Sequence, residues 1–279
     1  MQEITDATFR VQMGPQKNSK KLSDKVKRLT AYHEAGHAVV LRATSEFEKV
    51  DRVTIIPAGR AGGFTAYKPI EDTDFYTEKM LLDTIKMSLG GRAAEEVFLG
   101  EVSTGASSDL QQCNNIAKNM IKRYGLSKKF RNMVFGDENE EVFLGYSMGQ
   151  VQSYSDQTAA EIDEEIKSII DTCYAETKRI LIEKKAVVEG LATRLIDKLT
   201  VDGPDFEKIY LANGDLSAVY PQDYSGIDLS SSIGADIPVA APVEEPVIEP
   251  VSSEPDHTVE KPHATAIDPD DSNDPGPSD

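Results

Sequence analysis

The feature that most constrains this 279-residue chain is a five-residue run, His33-Glu34-Ala35-Gly36-His37. On a helix, residues four apart are neighbours on one face, so the two imidazoles would lie one above the other. The run therefore asks for a helix through it, and the flanking sequence supplies one. Ser23-Asp24 reads as a helix start, and Leu29, Tyr32, Ala35, Gly36, Val39 and Val40 recur at helical spacing to about Leu41.

Stacked in this way, His33 and His37 can converge on one ion, and Glu34 can reach a water held there. Zinc lowers the pKa of such a water towards ~7, so the carboxylate can take its proton while the metal polarises a carbonyl. This is the pattern of zinc-dependent peptide hydrolysis. The other two histidines of the chain, His257 and His263, lie far away near its end. A catalytic zinc takes three protein ligands and keeps one position open. A third histidine six residues after His37 would complete one known arrangement, but that place is held by Ala43. The third donor is then a carboxylate from elsewhere. Asp109, behind a small polar loop, is one candidate, and Glu95 and Glu96 are the others. The residues alone do not choose among them. Asp109 also reads as a first-turn acid that suits the helix dipole, and Glu95-Glu96 as a solvated helix face. Cys113 and Cys173 form no C-x-x-C pair, which argues against a disulfide framework or a cysteine zinc site and for two buried thiols.

Around this helix the pattern alternates. Val53, Ile55 and Ile56 predict a strand within residues 50–57, and residues 62–67 a second extended segment, together a small sheet with a Gly-rich connection. Residues 76–99 read as a helix with Met80, Leu81, Ile85, Leu89, Ala93 and Val97 on one side. Gly90-Gly91 inside it costs ~1 kcal/mol each relative to Ala, which close packing against another backbone would explain. A helix from about Asp109 to Arg123 is expected to be capped by Ser108, with Gln111 completing a capping box. Residues 133–144 offer short extended pieces, 155–199 one long helix or two stacked ones, and 205–211 a short one.

The formal net charge of -18 is unevenly placed. Residues 221–279 hold 14 acidic residues against the single base Lys261, together with 10 of the 14 prolines. That composition cannot build a packed core. The first 220 residues read as a mildly acidic globular chain. The strongly acidic balance of the whole chain argues against general binding to nucleic-acid backbones, which needs Lys and Arg to displace counterions. No apolar run approaches the ~20 residues of a membrane-spanning helix, and the first residues do not form a signal peptide.

Four blocks, at residues 30–38 (TAYHEAGHA), 53–57 (VTIIP), 90–96 (GGRAAEE) and 103–110 (STGASSDL), carry a resemblance. In order and spacing the chain resembles the peptidase domain of the membrane-bound, ATP-dependent zinc metalloproteases of the FtsH type, from about residue 4 to about residue 211. The resemblance implies His33, His37 and Asp109 as ligands of one zinc ion per chain and Glu34 as general base. Glu95 would be a nearby support that orients a ligating histidine rather than a ligand. It implies a mainly α-helical zinc-peptidase domain with a small β-sheet near the active site, assembled as a homo-hexamer whose chamber is fed by an ATPase ring. Unfolded or membrane-extracted polypeptides are the implied substrates, and protein quality control the implied setting. Gly62, Gly63, Phe64 and Thr65 resemble the family's substrate-binding edge strand, to which an extended chain adds by main-chain hydrogen bonds; a plain core hairpin strand is the alternative.

The chain departs from the whole-family pattern in having no G-x-x-x-x-G-K-[ST] loop and no membrane span. ATP is thus expected only for a full-length member, which the resemblance implies is membrane-anchored with its peptidase on the cytoplasmic side. This chain alone is expected to be a soluble piece of a longer protein. Its expected division is a remnant of an ATPase-lid helix and linker at 1–20, the peptidase domain at 21–212, and an acidic, Pro-rich, disordered tail at 213–279. A catalytically silent oligomerisation module with a vestigial metal site is the competing function. A further reading makes the tail an acidic docking segment, with a plain solvating linker as the simpler account.

Overall fold

A computed structural model describes residues 22–59, 61–71, 74–135 and 154–224. Its centre is helix α1 (Asp24–Thr44), started by Ser23, whose hydroxyl accepts the Val26 N–H. From Ala31 to Leu41 nearly every residue of α1 is buried. Three neighbours enclose it: helix α2 (Glu78–Ala94), helix α5 (Lys185–Lys198) and a three-stranded antiparallel sheet. The sheet has β1 (Glu48–Thr54) in the middle, β2 (Phe64–Pro69) on one side and β3 (Thr200–Asp202) on the other. Val53 pairs with Thr65 across one seam and with Val201 across the other. β2 is therefore an edge strand, and Gly62 and Gly63 lead into it.

The glycine pair of α2 has a geometric reason. A Cβ on Gly36 would overlap the Gly90 carbonyl, and one on Gly90 would lie 2.8 Å from the Gly36 oxygen. The two helices touch backbone to backbone, and only glycine permits that approach. After Ala94 the helix widens into a π-helical turn, Glu95–Leu99, ended by Gly100 at φ 69°. A 3-10 turn, Thr104–Ala106, then runs straight into α3 (Ser107–Lys122).

Here the expected cap is corrected. Ser108 lies inside α3, which has no side-chain cap, and the capping serine is Ser103, which accepts the Gly105 N–H at 3.1 Å. The reason is the 3-10 turn: Ser107 already donates its N–H to the Thr104 carbonyl, so the helical path begins before Ser108.

Residues 155–199 form two helices, α4 (Asp156–Glu183) and α5, joined at Lys184, and α6 (Gly203–Leu211) follows β3. The fold then continues past residue 212, where the tail was expected to begin. Leu216 of α7 (Leu216–Val219), Tyr224 of α8 (Pro221–Tyr224) and Tyr220 between the two helices join the main core. The Arg194 guanidinium lies 3.8 Å above the Tyr220 ring and pairs with Asp223 at 2.8 Å. Buried aromatics and this clamp move the end of the folded part to at least Tyr224. The expected lid remnant, most of the 133–144 pieces and the rest of the tail lie outside the described residues.

Two cores result. The larger one surrounds α1 with Leu41, Val53, Ile55, Phe98, Leu191 and Phe206. A second lies between α2, α3 and α4, where Ile85, Leu89 and Met120 pack with Cys113 and Cys173, both free thiols. The fold is thus mostly helical with one small antiparallel sheet. Among the described residues no helix is long and apolar enough to cross a membrane.

Candidate metal centre

The site is assembled from α1, the end of α2, the first turn of α3 and the edge strand. α1 presents His33 and His37 as adjacent turns, with their Nε2 atoms 3.1 Å apart. Asp109, in the first turn of α3, brings Oδ2 to 3.4 Å from His33 Nε2 and 3.8 Å from His37 Nε2. Among the described residues these three form the one set of at least three His, Cys, Asp or Glu able to hold an ion, with their ligand atoms all within 4.8 Å of one another.

Both imidazoles are held from behind. His33 Nδ1 donates to Glu95 Oε1 at 2.7 Å, and His37 Nδ1 to the Met87 carbonyl at 2.7 Å. Bonds of this kind fix the ring orientation and leave Nε2 as the donor atom towards the common point. Glu95, only 1% exposed, is in turn held by the Ser103 N–H and by the Ser103 hydroxyl at 3.0 Å. It sits on the π-helical turn, a deformation that re-aims side chains and is frequent at functional sites. Glu96 points elsewhere: it accepts from the Tyr174 hydroxyl and from Lys178 at 3.2 Å. Of the two adjacent acids, one supports His33 and the other forms a surface network.

Room for an ion comes from Gly91. A Cβ there would stand 2.5 Å from His33 Cε1 and 2.6 Å from the Nε2 atoms of both histidines. Beside the cluster lies Glu34, 5% exposed, with Oε2 accepting the Thr65 hydroxyl at 2.9 Å. Phe64 is buried in the fold, and Gly63 packs close to Glu34, so the start of β2 runs along the site.

The electrostatics fit a cation. Burial disfavours charge on His33, yet the Asp109 and Glu95 carboxylates outweigh it and push its pKa up to about 10. Burial, and then the charge on His33, drives His37 down to about 4. Their Nε2 atoms, 3.1 Å apart, lie within hydrogen-bond reach of each other. Despite burial, the imidazoles hold Asp109 below its usual range, and His33 with Ser103 does the same for Glu95. Burial pushes Glu34 up to about 7, against the pull of His33 and the Thr65 hydroxyl. The carboxylates thus favour positive charge at the point where two imidazoles and a carboxylate meet. Two neutral-capable nitrogens, each on a ring whose Nδ1 is already bonded, and one carboxylate oxygen are a donor set that suits zinc.

Sequence reasoning named His33, Glu34, His37, Asp109 and Glu95, and the structure gathers all five. It missed three supports. Gly91 was visible only as half of an unexplained glycine pair. Ser103 was visible as a loop residue, and its tie to Glu95 depends on the π-helical turn. The Met87 carbonyl, a main-chain group, leaves no trace in the sequence.

Comparison with known proteins gives a consistent picture. A model of peptidase family M41 matches residues 20–209. The chain is 51% identical over 209 residues to an ATP-dependent zinc metalloprotease FtsH of Ruminiclostridium cellulolyticum, covering 75% of this chain and 34% of that protein. Proteins of the same name from Caldicellulosiruptor bescii and Veillonella parvula are 44% and 40% identical, each over 75% of this chain and 34% and 33% of their own lengths. The chain thus spans about a third of the length of the curated relatives it matches.

Proposed function

The chain belongs to peptidase family M41, a zinc metalloprotease family, and from that premise we propose that it is an endopeptidase domain hydrolysing peptide bonds of unfolded or membrane-extracted polypeptides. His33, His37 and Asp109 hold one zinc ion, and Glu34 is the general base. The observation that carries this reading is the convergence of two Nε2 atoms and one carboxylate oxygen within 4.8 Å, with Glu34 buried beside them. Zinc bound there supplies Lewis acidity, polarising the scissile carbonyl and making a water acidic.

The chain's own residues do the rest. Glu34 takes a proton from water and returns it to the leaving amine, a role that suits a carboxyl buried beside the three converging donors. Glu95 and the Met87 carbonyl keep the imidazoles aimed, so that no reorganisation is needed during reaction. The free side of β2 takes up an extended substrate by main-chain hydrogen bonds, which read little side-chain identity and therefore suit unfolded chains. Phe64 and Thr65 begin that edge, and Gly62 and Gly63 lead into it.

The same reading places the peptidase domain at residues 21–212 with a folded extension to Tyr224. It makes the domain part of a homo-hexameric, membrane-anchored assembly fed by an ATPase, as the relatives' names indicate for ATP dependence. ATP belongs to that larger protein, and nucleic acid is no partner.

Casein cleavage tests it. A chelator should abolish the activity, and Glu34→Gln should do so with zinc still bound. Full activity in Glu34→Gln would overturn the mechanism, and absence of both zinc and cleavage in the native chain would favour the silent oligomerisation module. Mass spectrometry of Asp109→Ala tests the third ligand: stoichiometric zinc in that variant would return attention to Glu95.

A further inference from the structure

Thr65 lies on the edge strand, but its hydroxyl turns towards α1 instead of the free edge. Its Oγ1 stands 2.9 Å from Glu34 Oε2 and 3.1 Å from the Glu34 main-chain oxygen. A hydroxyl has one proton to donate. The Glu34 carbonyl lies within a helix, where the N–H four residues on is its ordinary partner. A bond to an ionised carboxylate is also the stronger of the two. The carboxylate is therefore the acceptor that draws the Thr65 proton.

Gly63 closes the other side. A Cβ at Gly63 would lie 3.0 Å from Glu34 Oε1 and 2.6 Å from the Thr54 carbonyl. The orientation of a buried carboxylate on α1 is thus set from a distant part of the chain, by Thr65 of β2 at one oxygen and by Gly63, just before β2, at the other.

We propose that Thr65 is a positioning residue for Glu34, holding Oε2 so that the carboxylate keeps one orientation beside the three converging donors. Because Thr65 belongs to β2, an extended chain added to that edge and the base that serves it are fixed by the same strand. The inference rests on the reading of Glu34 as general base and adds the residue through which substrate strand and base are coupled.

The test uses Thr65→Val, which removes the hydroxyl at nearly constant shape, Thr65→Ser, which keeps it, and Glu34→Gln as a control, all in this chain. Cleavage of casein gives kcat and KM, and mass spectrometry gives zinc content. Thr65→Val should lower kcat roughly 10–100-fold with KM and zinc content unchanged, and Thr65→Ser should stay within about 3-fold of the native chain. If Thr65→Val does not fold, Thr65→Ala takes its place. A readout independent of activity is the melting of the metal-free proteins in a cycle of Thr65→Val, Glu34→Ala and both. The shift caused by Thr65→Val should largely vanish in the Glu34→Ala background.

Native kcat in Thr65→Val, loss of zinc together with kcat, failure of Thr65→Ser to restore activity, or additive melting shifts would each overturn the positioning role. An active Glu34→Gln would instead remove the base reading, an outcome distinct from all of these.

Discussion

Around α1 the chain builds two packed regions from different material. Towards α2 and β2, it buries Glu34, His37 and Glu95, with backbone pressed on backbone at Gly36 and Gly90. Towards α5 and α6, it buries Leu191, Leu195, Phe206 and Ile209, and its charges stand at the rim, where Arg194 pairs with Asp223. Both regions are nearly closed to water. In the second, each buried group is one that gains by leaving water. In the first, buried groups are held by hydrogen bonds and by mutual charge, and one of them, Glu34, is held in a state its surroundings disfavour. The contrast separates buried polar groups, which oppose stability unless they are paired, from buried apolar groups, which supply it.

The comparison breaks most readily at Glu34. Glu34→Gln should lower casein cleavage by at least about a thousand-fold, the upper range for loss of a general base, whereas the folded fraction and zinc content stay as they were. No single substitution in the α5–α6 region should do this.

Gly91→Ala comes next. The added methyl would meet both imidazoles, so zinc affinity should fall by roughly 10–100-fold, the range for a disturbed ligand shell. Equilibrium dialysis would measure it, and native affinity would mean that the histidines move aside freely.

Phe206→Ala should cost about 3–5 kcal/mol in a denaturant melt, the usual loss for a fully buried phenylalanine. Its kcat per folded molecule should match the native chain. A kcat falling with stability would show that the two regions are coupled.

A smaller effect sharpens the contrast. In the metal-free fold, burial raises the Glu34 pKa to about 7 from an ordinary 4.5. The folded state therefore holds a proton that the unfolded state has lost, and stability falls as pH rises from 4.5 to about 7. Chelated Glu34→Gln escapes this loss. It should be more stable than the chelated native chain by roughly 1–3 kcal/mol near pH 8, with the gap closing towards pH 4. Melting at the two pH values checks it, and an equal gap at both would sink the claim.

The smallest effect concerns the second core. Burial pushes Cys113 up to about 12 and Cys173 up to about 11. Neither thiol should react with a thiol reagent near pH 8 until the chain unfolds.

Much of this was legible beforehand because it is local. The His33–His37 spacing, the apolar periodicity of α1 and the Gly90-Gly91 pair each express a rule acting over one or two turns. The less legible parts all depend on distant groups meeting. Glu95 and Glu96 are chemically identical neighbours, and only the packed fold shows that one meets His33 and the other Tyr174 and Lys178. Ser103 rather than Ser108 became the capping residue because a 3-10 turn runs into α3. The folded chain reached Tyr224 because Arg194, far back on α5, offers a surface for two tyrosines.

The sequence by itself determined that one helix would carry two histidines and a glutamate on adjacent turns, because helical periodicity is a property of neighbouring residues. Only the tertiary structure decided which carboxylate would face them, what would hold each ring and which strand would meet Glu34. Those choices depend on distances between segments far apart in the chain, and such distances exist only after α1, α2, α3 and β2 have packed together.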